Sequence, residues 1–351
     1  MAYSTIPKGS LYMNTLLYTG NGATSNPLTG LGFQPDFNWT KYRNASAFHS
    51  LSDVVRGVNS QIYSNDTSAQ AAGTNSVQSF NSDGLTVGSD SNYNGNGGTY
   101  VSWNWKANGA GSTNTTGSLD STVSVNTTAG FSIVKWTGDR SQTQTIGHGL
   151  GSIPKMIIIK NLSVGQGWTV YSSEIGANER LVLNNDSAKG TCTACFGNTR
   201  PTSSVFTVGD DADTNGTGNA MIAYCFADVK GYSKMASYIG NGSSTDGTFV
   251  YTGFKPAFVL WKKSSDTGNW LMMDDKRSTF NFAQTYLKAN ATAAEDVTSS
   301  DIRWDFLSNG LKCRGDSSSI NSSGAKYIYM AFASNPFVAT SGSDAIPVTA
   351  R

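Results

Sequence analysis

A segment built around one proline and one lysine occurs three times in this chain of 351 residues. In each copy a glycine precedes the proline by three positions, and a lysine follows it by six. The copies span residues 32–41, 151–160 and 253–262. Repetition at this distance indicates one folding unit used several times, and about 100 to 120 residues suits a β-sandwich. The sequence therefore predicts three tandem copies of one unit.

The last strand predicted in each unit carries large apolar residues at every second position. This spacing places side chains on one face of a β-strand. The large residues are Val101, Trp103 and Trp105, then Ile222, Tyr224 and Phe226, then Ile328, Met330 and Phe332. Smaller residues such as Ser102, Ala223 and Cys225 lie between them. We expect the large residues to face the interior of each sandwich and the small ones to be covered by a neighbouring sheet or chain.

The segment from proline to lysine is instead apolar at consecutive positions, at 156–159 and 258–261. Such a run is typical of a strand buried on both faces, and a proline at its start loses no ladder hydrogen bond. The chain also has 38 glycines and three glutamates, a composition that disfavours helices. The predicted fold class is all-β, with three tandem β-sandwich repeats of the jelly-roll or lectin-like kind.

The predicted domain boundaries follow the repeats and the composition between them. Residues 108–122 are rich in Gly, Ser, Thr and Asn, which is typical of a linker. The predicted parts are a first repeat with an N-terminal arm at 1–107, the linker at 108–122, a second repeat at 123–229, a third repeat at 230–337 and a C-terminal arm at 338–351.

Charge and hydropathy restrict the class of partner. Charged residues make up 14% of the chain and the formal net charge is +1, so no large basic field for nucleic acid is predicted. The start has no basic head followed by an apolar stretch, and no apolar run reaches 18 residues. We therefore expect neither a secretory signal nor membrane insertion.

Several short motifs accompany the repeat. They are Tyr18-Thr19-Gly20-Asn21-Gly22, Val55-Arg56-Gly57, Phe80-Asn81-Ser82-Asp83-Gly84, the run from Val101 to Ala107, Gly147-His148-Gly149-Leu150-Gly151, and the ending from Asn335-Pro336-Phe337 to Thr349-Ala350-Arg351. In combination with the repeated segment, they resemble a family of virion proteins from tailed bacteriophages. Its members are described as tail fibre or tail-associated proteins with repeated lectin-like sandwiches, of the concanavalin or laminin-G kind.

This resemblance, which extends from about residue 12 to residue 351, implies a structural virion protein made in the host cytoplasm. The implied role is a tail fibre or tail-associated appendage that takes part in assembly and in attachment to host-surface glycans. Implied partners are other virion proteins and further copies of the chain, as a trimer. Two alternatives stay open: a capsid decoration or head-fibre protein, and a polysaccharide-degrading tailspike enzyme.

No catalytic residue is defined for the family, so none is carried over. We predict no enzyme activity, no cofactor, and no catalytic, cofactor-binding or metal-binding residue. The residues themselves agree with this prediction. His49 and His148 occupy unmatched positions in different repeats, and His148 lies in a glycine-flanked turn. Asp274 and Asp275 form the most suggestive carboxylate pair for glycoside hydrolysis, but the other units have no counterpart.

Two segments resemble the first half of a calcium loop, at 90–95 and 211–216. The twelfth loop position, which should carry a glutamate, would be Val101 or Ile222. A turn before the closing strand is therefore the preferred interpretation, and whether these loops hold calcium stays open.

The four cysteines are Cys192, Cys195, Cys225 and Cys313. One Cys-x-x-Cys pair does not complete a tetrahedral zinc site, so we expect ordinary buried or turn cysteines.

Aromatic residues are the candidates for contact with sugars, since indole faces stack on sugar C–H groups. Trp168, Trp261 and Trp270 are candidates, but their recurrence in the repeats favours packing in the core. Tyr93, in a glycine-rich loop outside the repeat pattern, is the better candidate for surface contact.

Overall fold

The structure, a computed structural model, describes residues 4–335. The predicted C-terminal arm at 338–351 lies outside the described residues. The chain is nearly all β, with 42% of residues in strands and 3% in helices, so the predicted all-β sandwich fold is confirmed. Within the described part of the chain, no helix is long and apolar enough to cross a membrane.

We use the word unit for one large sheet together with the small sheet that accompanies it. The strands of the first unit are β1 (Met13–Thr19), β2 (Asn26–Thr29), β3 (Phe37–Tyr42), β4 (His49–Asp53), β5 (Ser60–Tyr63), β6 (Ala71–Ala72), β7 (Val77–Asn81), β8 (Gly84–Val87) and β9 (Thr99–Trp105). Those of the second are β10 (Ser112–Asn114), β11 (Ser121–Asn126), β12 (Phe131–Thr137), β13 (Gln144–Gly147), β14 (Met156–Asn161), β15 (Thr169–Ser172), β16 (Glu179–Val182), β17 (Gly190–Thr191), β18 (Val205–Val208) and β19 (Ala220–Phe226).

The strands of the third unit are β20 (Ser233–Ile239), β21 (Phe249–Tyr251), β22 (Pro256–Lys263), β23 (Trp270–Asp274), β24 (Leu287–Lys288), β25 (Trp304–Leu307), β26 (Gly310–Cys313) and β27 (Lys326–Ala333). The helical segments are a 3-10 turn at Gly9–Leu11 and two single turns, α1 (Ser91–Asn94) and α2 (Ala212–Asn215).

The three large sheets share one strand order. It runs β1-β9-β3-β4 in the first unit, β12-β19-β14-β15 in the second and β20-β27-β22-β23 in the third, with antiparallel neighbours. In each, the strand that follows the proline lies beside the closing strand. The small sheets are β2-β8-β7, β13-β18 and β21-β26-β25.

The segment predicted as a linker, 108–122, contributes to the second large sheet. It contains β10 and the first residues of β11, and both strands extend the edge of that sheet. A Gly- and Ser-rich composition therefore did not prevent strand pairing here. The number of domains and their boundaries stay predictions.

The strands that follow the prolines are buried on both faces, as predicted. Every residue of β14 and β22 is buried. In β14, Ile157 and Ile159 face the small sheet of their own unit, whereas Met156 and Ile158 face a core that residues of all three units share.

The orientation predicted for the closing strands is wrong. Their large residues belong to the shared core, whereas Ala223 and Cys225 face the small sheet of the second unit. At the centre of the shared core, the rings of Trp105, Phe226 and Phe332 form a triangle with centroids 5.8 to 6.3 Å apart. These large side chains thus fill the space where the three large sheets meet.

Candidate functional site

The lysine of each repeated segment is buried and reaches the neighbouring unit. Each ammonium group donates a hydrogen bond to a backbone carbonyl of that neighbour. The three contacts are Lys41 Nζ to Thr292 O (3.0 Å), Lys160 Nζ to Thr67 O (3.1 Å) and Lys262 Nζ to Asp186 O (3.2 Å). The first unit thus binds the third, the second binds the first and the third binds the second, so the contacts close a ring.

Further carbonyl oxygens complete the surroundings of these ammonium groups. Lys41 Nζ also donates to Ala45 O and Ala47 O, and Lys160 Nζ donates to Asn161 O and Gln166 O. Burial lowers the pKa of each of the three repeat lysines to about 8. The hydrogen bonds show that carbonyl oxygens, rather than carboxylates, surround each buried ammonium group. The constant spacing from proline to lysine places this group at a contact between units.

Backbone amides form the same ring of contacts, and indole groups add a contact between two of the three pairs of units. Trp168 Nε1 donates to Tyr63 O at 2.8 Å, and Trp270 Nε1 donates to Val182 O at 2.9 Å. The equivalent backbone bonds are Gln70 N to Leu162 O, Lys189 N to Ser264 O and Glu295 N to Arg43 O. We call the three sets of contacts the first–second, second–third and third–first joints.

The sequence candidates Trp168, Trp261 and Trp270 are all fully or almost fully buried. Packing is therefore the correct interpretation of these three residues. The prediction for Tyr93 is wrong: its exposed fraction is 0%, and its hydroxyl forms a hydrogen bond with Ser52 Oγ. The glycine-rich loop folds α1 back over the small sheet of the first unit, which encloses the ring.

An ion pair lies at the first–second joint. The Asp53 carboxylate accepts from Arg56 Nε at 2.5 Å and from the Tyr224 hydroxyl of the second unit at 2.8 Å. The side chains of Asp53 and Arg56 are fully buried. Burial lowers the pKa of the Arg56 guanidinium, but the carboxylate more than offsets this, and the pKa is raised above its usual value.

The third–first joint carries the same arrangement. Asp274 accepts from Arg277 Nε at 2.5 Å and from Trp103 Nε1 of the first unit at 3.0 Å. Glu295 adds a second carboxylate, which pairs with both Arg277 and Arg43. The Asp274 carboxylate considered for glycoside hydrolysis is therefore engaged in holding two units together.

At the second–third joint, different residues occupy the equivalent positions. Ser172 stands at the position of Asp53 and Asp274 on the strand, opposite Met156 where the others face Phe37 and Phe258. Ile175 replaces the arginine, and Met330 replaces the donor of the other two joints. Ile175 and Met330 belong to the same buried cluster, so apolar residues replace the buried ion pair at these positions. A partly exposed pair, Lys326 of the third unit with Glu174 of the second at 3.9 Å, lies at the same joint.

Both histidines are buried within the fold. His49 occupies the position of Trp168 and Trp270; its Nδ1 accepts from Trp39 Nε1 at 3.1 Å, and burial is the main cause that lowers its pKa well below the usual value. His148 Nδ1 accepts from the Leu150 amide, and burial lowers its pKa as well. Neutral imidazoles enclosed in this way act as packing and hydrogen-bonding groups.

The turns predicted at 90–95 and 211–216 are confirmed as the helical turns α1 and α2. Asp90 and Asp211 cap them by accepting from the amides two positions later. An asparagine at the end of each turn braces it against the loop after the first strand of the same unit. These bonds are Asn94 Nδ2 to Asn21 Oδ1, Asn215 Nδ2 to Asp139 Oδ1 and, in the third unit, Asn321 Nδ2 to Asn241 Oδ1. The pattern of acids and amides thus has a structural use in each unit.

The prediction of ordinary cysteines is correct for Cys225 and Cys313, which are buried thiols, and wrong for the other two. Cys192 and Cys195 form a disulfide across one turn. Burial raises the pKa of the Cys313 thiol to about 11.

A groove of about 440 Å³ lies on the third unit beside β20 and β21. Asp228, Ser233, Lys234 and Tyr251 line it. The exposed fraction of Tyr251 is 55%, and Lys234 Nζ lies 5.1 Å from its ring centroid while donating to its carbonyl oxygen. An exposed phenol ring beside a carboxylate and an ammonium group offers the stacking and hydrogen bonding that a sugar requires.

The sequence analysis missed this groove. By strand pairing, Tyr251 lies opposite Gly310 as Thr29 lies opposite Gly84, so the two residues occupy equivalent positions. The third unit thus exposes an aromatic ring where the first has a threonine, and only the strand register reveals this difference.

A comparison with curated proteins found no match. Residues 8–336 match the model of a family described as a domain of unknown function, DUF7483. The matched range contains every strand from β1 to β27. Because this match covers most of its 351 residues, the chain belongs to the DUF7483 family.

Proposed function

We propose that this protein is a structural component of a tailed bacteriophage virion, as a tail fibre or tail-associated appendage that attaches to host-surface glycans. The observation that carries the proposal is the closed ring of joints. Buried lysines, ion pairs and aromatic rings of the described residues are engaged in holding sheets together, which suits a rigid particle component. The sequence motifs given above add the resemblance to virion proteins.

The direct test is mass spectrometry of purified virions from an infected host. The proposal expects the protein in multiple copies in each particle. Absence from virions would end the proposal. A few to a few tens of copies fit a tail position, whereas a hundred or more would favour the capsid decoration alternative.

Attachment is assigned to the groove of Asp228, Lys234 and Tyr251, because there an aromatic ring and two charged side chains face solvent together. The purified protein should bind polysaccharide extracted from the host, and Tyr251→Ala should weaken this binding by about tenfold or more. Phe249→Ala is the matched control, since Phe249 is also exposed on β21 but does not line the groove. Equal loss in both variants would argue against the groove.

The trimer implied by the resemblance stays a prediction for the whole chain. The ring of joints already provides a threefold arrangement inside one chain, so assembly into a trimer would need other surfaces. Light scattering on the purified protein measures the mass of the species in solution. The mass of a single chain would remove the trimer from the proposal.

A further inference from the structure

Three potential metal ligands meet beside the disulfide of the second unit. Cys192, Cys195 and Asp211 each present one ligating atom, and these atoms all lie within 4.8 Å of one another. The distance from Cys192 Sγ to Asp211 Oδ2 is 3.6 Å. Two sulfurs and a carboxylate oxygen at this separation supply three of the four ligands of a tetrahedral soft-metal site, and the disulfide bond keeps the two sulfurs from binding a metal.

The surroundings favour reactive rather than inert sulfur. Arg180 Nη1 lies 3.5 Å from Cys195 Sγ and also pairs with Asp213. A guanidinium at this distance stabilises a thiolate. Cys195 is fully buried, whereas Cys192 is half-buried. A small reductant therefore reaches the disulfide from the side of Cys192.

The first unit shows that the turn itself needs no disulfide. Gly73 and Ser76 occupy the equivalent positions, and the turn is closed there by the amide and the hydroxyl of Ser76, both donating to Gly73 O. In the second unit the corresponding backbone bond, Cys195 N to Cys192 O, is also present. A bond across only two intervening residues removes little chain entropy, so stability is a weak reason for these cysteines.

We propose that Cys192, Cys195 and Asp211 form a redox-gated site for a soft divalent cation of the zinc class. A dithiol reductant attacks the disulfide through one thiolate, the S–S bond breaks, and the second reductant thiol closes a cyclic disulfide. Two electrons pass to the protein, which gains two thiols. Metal binding then releases two protons, and the cation takes two thiolates, the Asp211 carboxylate and one water.

Cadmium is the probe, because its bonds to thiolates absorb in the ultraviolet. The full chain is reduced with dithiothreitol without denaturant, freed of reductant under argon and titrated with Cd²⁺. We expect about one ion bound per chain with this absorption, and competition by Zn²⁺. Binding by the unreduced protein with the same signal, or failure of the folded protein to be reduced, would overturn the proposal.

Two variants assign the ligands. Asp211→Asn should weaken Cd²⁺ binding by about tenfold or more, and its far-ultraviolet circular dichroism shows whether the fold is retained. The double variant Cys192→Ser with Cys195→Ser keeps the buried thiols of Cys225 and Cys313 and should show no thiolate–cadmium absorption. A signal that persists in the double variant would place the metal elsewhere, and unchanged affinity in folded Asp211→Asn would remove the carboxylate from the site.

Discussion

The first–second and second–third joints have different side chains at equivalent buried positions, a charged pair in one and apolar residues in the other. At the first–second joint, Asp53 and Arg56 form a buried ion pair that receives a hydrogen bond from Tyr224. At the second–third joint, the positions of the arginine and of Tyr224 carry Ile175 and Met330, which belong to one apolar cluster. The hydrogen-bond donor Tyr224 and its acceptor Asp53 are thus both replaced at the second–third joint. This is expected, because replacement of only one would leave a buried polar group without its partner.

The contacts common to both joints indicate what the ring requires. Lys160 and Lys262 donate to carbonyls of the neighbouring unit, and Trp168 and Trp270 do the same through their indole nitrogens. The buried ion pair is therefore an addition at two joints, whereas the lysine contact occurs at all three joints and the indole contact at the two compared here. Exchange or removal of each group tests this distinction.

Breaking the ion pair from one side should have the largest effect. Asp53→Asn leaves the Arg56 guanidinium buried without a counter-charge, and we expect it to lower the free energy of unfolding by about 3–5 kcal/mol. Ser172→Ala, at the equivalent position of the second unit, should cost about 1 kcal/mol. Urea denaturation followed by tryptophan fluorescence measures both, and similar losses would show that the two joints do not differ as described.

The common lysine contact predicts a pH dependence. The folded-state pKa of Lys160 is about 8, below the ordinary value of 10.5, so between these values the unfolded chain binds more protons than the folded one. Stability from this lysine therefore rises with pH above 8 and is lost as pH falls through 8. The slope of unfolding free energy against pH in Lys160→Met should be smaller than in the wild type by up to about 1.4 kcal/mol per pH unit.

This measurement belongs between pH 8 and 9.5, because buried tyrosines such as Tyr224, with a raised pKa, destabilise the fold at higher pH. Lys276→Met removes an exposed lysine and is the matched control. An unchanged slope in Lys160→Met, or an equal change in both variants, would show that Lys160 is not the group responsible.

The indole contact should have an intermediate effect. Trp270→Phe keeps an aromatic ring but leaves Val182 O without its donor, and we expect a loss of about 1–2 kcal/mol. Trp261→Phe is the control, since its Nε1 is buried without a hydrogen-bond partner among the described residues. If Trp261→Phe costs as much as Trp270→Phe, ring volume rather than the contact between units determines the loss.

The sequence predicted the strands better than it predicted their surroundings. Proline placement and consecutive apolar residues were sufficient for β14 and β22, because burial on both faces leaves a direct compositional signal. The alternation of large and small residues in the closing strands predicted two faces, but not which face packs against the other units. Trp103 and Ser102 would alternate in the same way whichever of the two faced the shared core.

The sequence did not predict the roles of the polar residues, for a different reason. A lysine at the end of a strand is usually solvated, and burial of these lysines depends in part on the carbonyls of Thr292, Thr67 and Asp186, which are far away in sequence. The sequence did not predict the disulfide, because Cys-x-x-Cys spacing is compatible with two free thiols, with a metal site and with a disulfide bond. The groove at Tyr251 was missed because its correspondence with Thr29 comes from the strand register, which the sequence alone does not give.

Exchange of the whole ion pair should have the smallest effect. The variant Asp53→Ser, Arg56→Ile and Tyr224→Met gives the first–second joint the residues of the second–third joint. Since a buried ion pair often contributes little compared with well-packed apolar residues, we expect a net change within about 1 kcal/mol of the wild type. The three single losses should then add to far more than the triple variant shows, because each single change leaves a buried partner that the triple variant also removes. Urea denaturation of all four variants decides this, and additive losses would mean that the shape of each joint, rather than its pairing, fixes its stability.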